Sequence, residues 1–334
     1  MLEIGLLLLS LGIILLGAEV FTNGVEWLGK KLNLSEGAVG SILAAVGTAL
    51  PETMIPVIAI LFGPGEEGHD IGIGAILGAP FMLGTLAFFL VGVAAIVFKG
   101  RRKNTDFMKV DISTMSRDLS FFLIVYSLAV LAAFLPTHNM KLLVIIFLVG
   151  AYGFYVWQTL TREDDLGEDH DLSPLFFSRK SPDPSLNKVL LQVFTALVLI
   201  IIGAKVFVGS IEHLAGIIGI PQFVLALIIA PVATELPEKF NSIIWVSKGK
   251  DTLALGNITG AMVFQSSLIP ALGIALTDWN LTFAAIMSVI LALASALVVY
   301  LQLKIRKVIT PYSLMTGGVF YLIFVVLVVT GVIQ

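Results

Sequence analysis

Polar residues interrupt this chain at only a few places, and the stretches between them are apolar over lengths that suit a bilayer. Such runs lie near 2–28, 37–62, 71–98, 119–135, 139–160, 187–214, 221–247, 252–276, 280–303 and 309–333. A hydrocarbon core of ~30 Å takes about 20 helical residues, so the pattern predicts an all-α membrane protein with ten transmembrane helices. The longest break runs from Arg162 to Asn187 and carries Glu163, Asp164, Asp165, Glu168, Asp169 and Asp171, then Pro174, Pro182 and Pro184. It reads as a solvated linker, because its acids lack the alternating spacing and central glycine of a calcium-binding EF-hand loop. The chain thus divides into a first five-helix unit (1–161), a linker (162–186) and a second five-helix unit (187–334).

The two units repeat each other. Gly47-Thr48-Ala49-Leu50-Pro51-Glu52 in one apolar run is matched by Ala233-Thr234-Glu235-Leu236-Pro237-Glu238 in another, at an offset of 238 − 52 = 186. The same offset pairs Gly17-Ala18 with Gly203-Ala204, Glu26 with Glu212 and Leu28 with Leu214. The third runs match at an offset of 182: Gly74, Gly78 and Leu83 against Gly256, Gly260 and Gln265. Small residues four apart let helices approach closely, which gives the glycines a packing role. Asn257 and Gln265, amides in a lipid-length helix, call for a polar one.

Composition sharpens the class. Hydrophobic residues make up 57% and charged residues 13%, against roughly a quarter charged in soluble domains. The first run has no basic flank before it and no cleavage site after it, so it is expected to be a retained helix rather than a signal peptide. There is no cysteine, which excludes disulfides, thiolate metal sites and cysteine nucleophiles. Nearly all lysines and arginines fall in alternate connections, those around 30, 99–117, 162–188, 248–250 and 304–307, with Lys141 on the opposite side. Positive-inside bias then puts both termini outside. Because five is odd, the second unit enters from the other side, and the repeats are inverted. The Gly63–Asp70 patch falls outside as a charged turn near a cation entrance.

A carboxylate at mid-bilayer is expensive, about 2.5–3.5 kcal/mol on insertion scales, so placing one twice at equivalent positions argues for a shared task. Pro51 and Pro237 lack an N–H and free the carbonyls of Gly47 and Ala233. Irregular backbone at that depth is tolerated where it lines a cavity. Thr48 and Thr234 stand four residues before Glu52 and Glu238, on the same helix face. Hydroxyl, carboxylate and freed carbonyl make an all-oxygen set, which suits a hard cation such as Ca²⁺. The alternative is a proline kink whose glutamates pair with Lys205 or Lys239.

These residues resemble the cation/Ca²⁺ antiporter superfamily, in the style of the prokaryotic Na⁺/Ca²⁺ exchangers. That family carries Gly-Thr-Ser-x-Pro-Glu on the second helix of each inverted repeat and Gly-Asn-x-x-Gly-Ser with a later Asn or Asp on the third. The resemblance covers both halves and implies that Glu52 and Glu238 are the central ligands. It places Thr48, Thr234 and the backbone oxygens of Gly47 and Ala233 beside them. Departures fall at Ala49, Ala75, Ala79 and Leu83 in the first repeat and at Glu235, Ala261 and Gln265 in the second; Asn257 stands as the family has it. The first repeat has lost side-chain ligands, and the second has gained the carboxylate of Glu235. Glu235 and Glu238, three apart, repel each other unless a cation or proton lies between them. Lys205 replaces the acid expected opposite Glu19.

The expected function is antiport of a divalent cation, Ca²⁺, against Na⁺ or H⁺ in a cell membrane, with no cofactor, no nucleic acid, and inorganic cations and the lipid bilayer as partners. The depleted first repeat favours H⁺. A channel using the glutamates as a filter, or an ion-binding receptor, is the alternative. An intramembrane enzyme would need a serine with a buried histidine, an aspartate pair or His-Glu-x-x-His, and the sequence has none of them.

Overall fold

The computed structural model describes residues 2–32, 49–101, 107–161 and 173–333, and every extended element among them is helical. Helix α1 (Leu2–Lys31) is followed by α2 (Leu50–Phe62), α3 (Gly65–Met82), α4 (Phe88–Val97), α5 (Ile112–Leu131) and α6 (His138–Leu160). The second half holds α7 (Leu186–Ile218), α8 (Gln222–Ser247), α9 (Asp251–Gln265), α10 (Leu268–Leu276), α11 (Phe283–Arg306) and α12 (Pro311–Val329). Among the described residues eight segments are long and apolar enough to span a bilayer, α3–α4 and α9–α10 each counting as one. The second helix of each repeat contributes a shorter apolar stretch, Leu50–Phe62 and Gln222–Val232.

The long helices α1 and α7 lie antiparallel along each other, with His213 near the end of α7 within 3.3 Å of Glu3 at the start of α1. Their contact carries the repeat relation into three dimensions. A Cβ on Gly17 would stand 2.8 Å from Ile200 Cγ1, and a Cβ on Gly203 would stand 2.7 Å from Ile14 Cγ1. Gly17 and Gly203 are separated by the same offset as Ile14 and Ile200, so one contact is made twice. Helix α3 packs on α8 in the same close manner: Gly74 lies against the Phe223 carbonyl and Gly78 against the Leu227 carbonyl. The expected packing role is met at Gly74 and Gly78 but not at Gly256 and Gly260, where an added Cβ would meet nothing within 4 Å among the described residues.

Several expected boundaries move. Helix α5 starts at Ile112 rather than 119, because Asp111 caps it by accepting hydrogen bonds from the Ser113 N–H at 2.9 Å and the Thr114 N–H at 3.4 Å. The Gly63–Asp70 patch is not a turn beyond Pro64. Helix α3 begins at Gly65 with Glu66 and Glu67 in its first turn, where acids complement the helix dipole. Helix α8 runs unbroken from Gln222 to Ser247 through Pro231 and Pro237. The breaks come instead on the third helix of each repeat, at a π turn over Leu83–Ala87 and at Ser266–Ser267 after Gln265. Those breaks fall at matching positions, just where Leu83 pairs with Gln265.

The linker is only partly a solvated tether. Its acids at 163–171 lie outside the described residues, but the stretch after Ser173 is docked onto α1 and α7. The Asn23 amide (3.1 Å) and the Trp27 indole (2.9 Å) both donate to the Ser173 carbonyl. Gln192 donates to the Val20 carbonyl at 2.9 Å and to Asn23 Oδ1 at 3.0 Å, and accepts from the Phe177 N–H at 2.9 Å. Leu175 is buried with Trp27 and Val189, and Lys31 pairs with Asp183. Buried amides need such partners, and the linker backbone supplies them.

Candidate functional site

Helix α2 opens at Leu50 with Pro51 in its first turn, which leaves Glu52 near an N-terminus where a carboxylate is favoured. Glu52 is 8% exposed and lines a cavity of about 10 Å³, room for on the order of one water-sized occupant. The walls are Ile55 from α2, Ala75 and Ala79 from α3, and Ala230, Pro231 and Thr234 from α8. A carboxylate from the first repeat thus meets a threonine from the second. Thr234 is buried and its hydroxyl donates to the Ala230 carbonyl at 3.0 Å. With its proton so used, the oxygen keeps lone pairs that a cation or a protonated acid can engage.

The alanines give the cavity its lopsided chemistry. Ala75 and Ala79 occupy the positions where the resembling family has Asn and Ser, and both lie on the wall beside Glu52. On the first-repeat side Glu52 is the polar lining group.

The second repeat gathers its polar groups around Glu235. This side chain is 1% exposed, accepts a hydrogen bond from the Gln265 amide at 3.3 Å, and stands 3.6 Å from Lys239 Nζ, itself 1% exposed. Sequence reasoning gave Lys239 as a possible partner of the motif glutamates, and the structure joins it to Glu235, one turn away on α8. Asn257 donates to Ser242 Oγ at 3.4 Å and so ties α9 to α8. Ala233 and Glu238 lie within α8, but their side chains are outside the described residues, as are Gly47 and Thr48 altogether. Among the described residues no three acidic or histidine side chains converge. Glu19 and Lys205 stay apart from the cavity; both are exposed, and Lys205 lies 5.1 Å from the centre of the Phe62 ring.

A buried network missed in the sequence holds α9 in place. Asp118 on α5 accepts from Thr259 Oγ1 at 2.9 Å, from the Tyr155 hydroxyl at 3.0 Å and from Arg117 at 3.1 Å. Thr259 sits between Asn257 and Gln265, so this carboxylate fixes the helix that carries both amides. At the start of α9, Asp251 accepts from the Lys109 N–H at 2.8 Å. The signal for Asp118 was its place just ahead of an apolar run, obscured because that run begins only after it.

Residues 2–161 and 188–332 match a family model described as sodium/calcium exchanger protein. A putative antiporter, CaxA, from Alkalimonas amylolytica is 25% identical over 268 residues, covering 80% of this chain and 78% of that protein. The sodium/calcium exchanger MaX1 of Methanosarcina acetivorans is 23% identical over 304 residues, covering 80% and 82%. Among solved structures, an H⁺/Ca²⁺ exchanger called CAX shares the fold with a TM-score of 0.70 and 18% identity, over 98% of this chain and 82% of that one.

Proposed function

We propose that this chain, which belongs to the sodium/calcium exchanger protein family, exchanges Ca²⁺ for H⁺ at a carboxylate site between its two repeats. It is a multi-pass membrane protein, and the relatives it matches are transporters rather than enzymes. The reading rests on one observation above the others: Glu52 from the first repeat and Thr234 from the second line the same cavity. In our reading ten helices span the membrane, both termini face outward, and Leu50–Phe62 and Gln222–Ser247 are the second helices of inverted repeats.

Ca²⁺ is held by Glu52 and Glu238, with oxygens from Thr48, Thr234 and the backbone at Gly47 and Ala233 completing the shell. Glu235, Asn257 and Gln265 form the polar margin on the second-repeat side. Protons compete for the same carboxylates. Choosing H⁺ over Na⁺ follows from Ala75 and Ala79: without side-chain oxygens at these two positions the lining offers fewer places for several sodium ions, whereas a proton needs only one carboxylate. Rocking of α1 and α7 as an antiparallel pair opens the site to one side at a time, as repeat-built transporters do. Ca²⁺ uptake into reconstituted vesicles, driven in turn by a pH gradient and a Na⁺ gradient, tests the proposal. Uptake is expected with the pH gradient alone; uptake with Na⁺ alone replaces the coupling ion, and uptake without countertransport replaces the antiporter with a channel.

A further inference from the structure

A second concavity, of about 470 Å³, opens at the end of the bundle that carries the basic connections, between the start of α5, the end of α6 and the end of α11. Arg117, Lys304 and Lys307 line it together with Ser113, Ser116 and Gln158, and among the described residues no carboxylate is part of its wall. We infer that it binds the phosphate-bearing headgroup of an anionic phospholipid.

The cations are not a loose surface cluster. Arg117 is held by hydrogen bonds from Nε (3.2 Å) and Nη2 (3.1 Å) to the buried Asp118, and its guanidinium lies 4.6 Å from the centre of the Tyr155 ring. This leaves Nη1 with no bond among the described residues and fixes the plane in which it can donate. Lys307 has φ +56°, in the left-handed region. It ends α11 with its N–H on the Leu303 carbonyl, a position where glycine is the usual residue and a side chain is strained. The chain accepts that strain and thereby puts an ammonium on the wall. The hydroxyls of Ser113 and Ser116 and the amide of Gln158 make no side-chain hydrogen bond among the described residues, so three neutral donors stand beside three cations.

Two observations favour a lipid over a soluble anion. The concavity lies between transmembrane helices, and its rim residue Ile112 is exposed, as are Trp157 and Ile305 next to the lining residues Gln158 and Lys304. Tryptophan at a helix end marks the headgroup level of a bilayer, and acyl chains can lie on that apolar rim while the phosphate enters the polar floor. Basic pockets between helices on the positively charged side are where anionic headgroups are recognised. Asp118 and the cap residue Asp111, both of which interact with Arg117, leave the three cations with one net positive charge, enough for one phosphodiester.

The test uses the full chain in a neutral detergent, with phosphatidylglycerol, phosphatidylcholine and inorganic phosphate added separately, and reads the bound species by native mass spectrometry. Phosphatidylglycerol is expected to stay bound in preference to phosphatidylcholine. Lys304→Gln and Lys307→Gly should each lower that retention about five-fold, while Lys248→Gln, an exposed lysine at the same end, should not. Lys307→Gly also separates binding from folding, since glycine accepts the left-handed backbone and its thermal midpoint without lipid should not fall. Equal retention of the two lipids, equal losses in all three variants, or displacement of phosphatidylglycerol by millimolar inorganic phosphate would each overturn the inference.

Discussion

Glu235 and Lys239 form an ion pair 3.6 Å apart on successive turns of α8, each with only 1% of its surface exposed. A pair so deep in the bundle is held against a large desolvation penalty, and removing one partner takes its attraction away from the other buried charge. Lys239→Met is therefore expected to destabilise the protein by about 3–5 kcal/mol, read as a fall in the thermal midpoint in detergent. Glu235→Gln combined with Lys239→Met should recover most of that loss. Equal loss in the double and single variants would show that the pair does not hold this part of α8.

Glu52 lines the cavity that Thr234 also lines, so the charge at this position bears on ion binding. Glu52→Gln keeps the shape and removes the charge. Calcium exchange in vesicles is expected to disappear while the thermal midpoint stays within a few degrees of the parent. Glu238→Gln should behave the same way if both repeats contribute one ligand. Unimpaired exchange in either variant would remove that residue from the proposed site.

Ala79 lies on the cavity wall beside Glu52 and is almost fully buried. Ala79→Ser adds one oxygen to the wall with little added volume. An extra oxygen ligand to a cation is taken as worth on the order of 1 kcal/mol net, comparable to an ordinary hydrogen bond. The half-saturating Ca²⁺ concentration is expected to fall about five-fold, with the pH gradient still able to drive uptake. An unchanged concentration would place the ion away from this wall.

The features legible in the sequence were those that a bilayer makes expensive. Glu52 and Glu238 stood out because a carboxylate in an apolar run needs a reason, and the 186-residue offset made the reason a shared one. The same offset reappears in the structure as the Gly17–Ile200 and Gly203–Ile14 contacts. What stayed hidden depends on partners distant in sequence. Asp118 gains its burial from Thr259, 141 residues away, and from Tyr155, which no local pattern announces. Prolines misled in α8, where the helix continues through Pro237, while the actual breaks lie at Leu83, three residues after Pro80, and at Ser266, four residues before Pro270. Glu235 was read through its repulsion by Glu238, three residues on. The Glu238 side chain lies outside the described residues, and Lys239, four residues on, pairs with Glu235.

Gln192 joins the two repeats and the linker through one side chain. Its amide donates to the Val20 carbonyl and Asn23 Oδ1, and its oxygen accepts from the Phe177 N–H. Gln192→Leu preserves bulk but strips the Phe177 N–H of its partner, an unsatisfied group costing about 1–3 kcal/mol, and leaves Asn23 Oδ1 with the Phe176 N–H at 3.3 Å. The docked segment after Ser173 can recover its losses by leaving α1 and exposing its backbone to water, whereas the α1–α7 contact through Gly17 and Gly203 has no such exit. Undocking of the linker is therefore expected before any loss of the helical bundle. Trypsin should cut at Arg179 or Lys180 several-fold faster in the variant, with the thermal midpoint of the bundle little changed. Cleavage at the parent rate would mean that Leu175 and the Lys31–Asp183 pair hold the linker without Gln192.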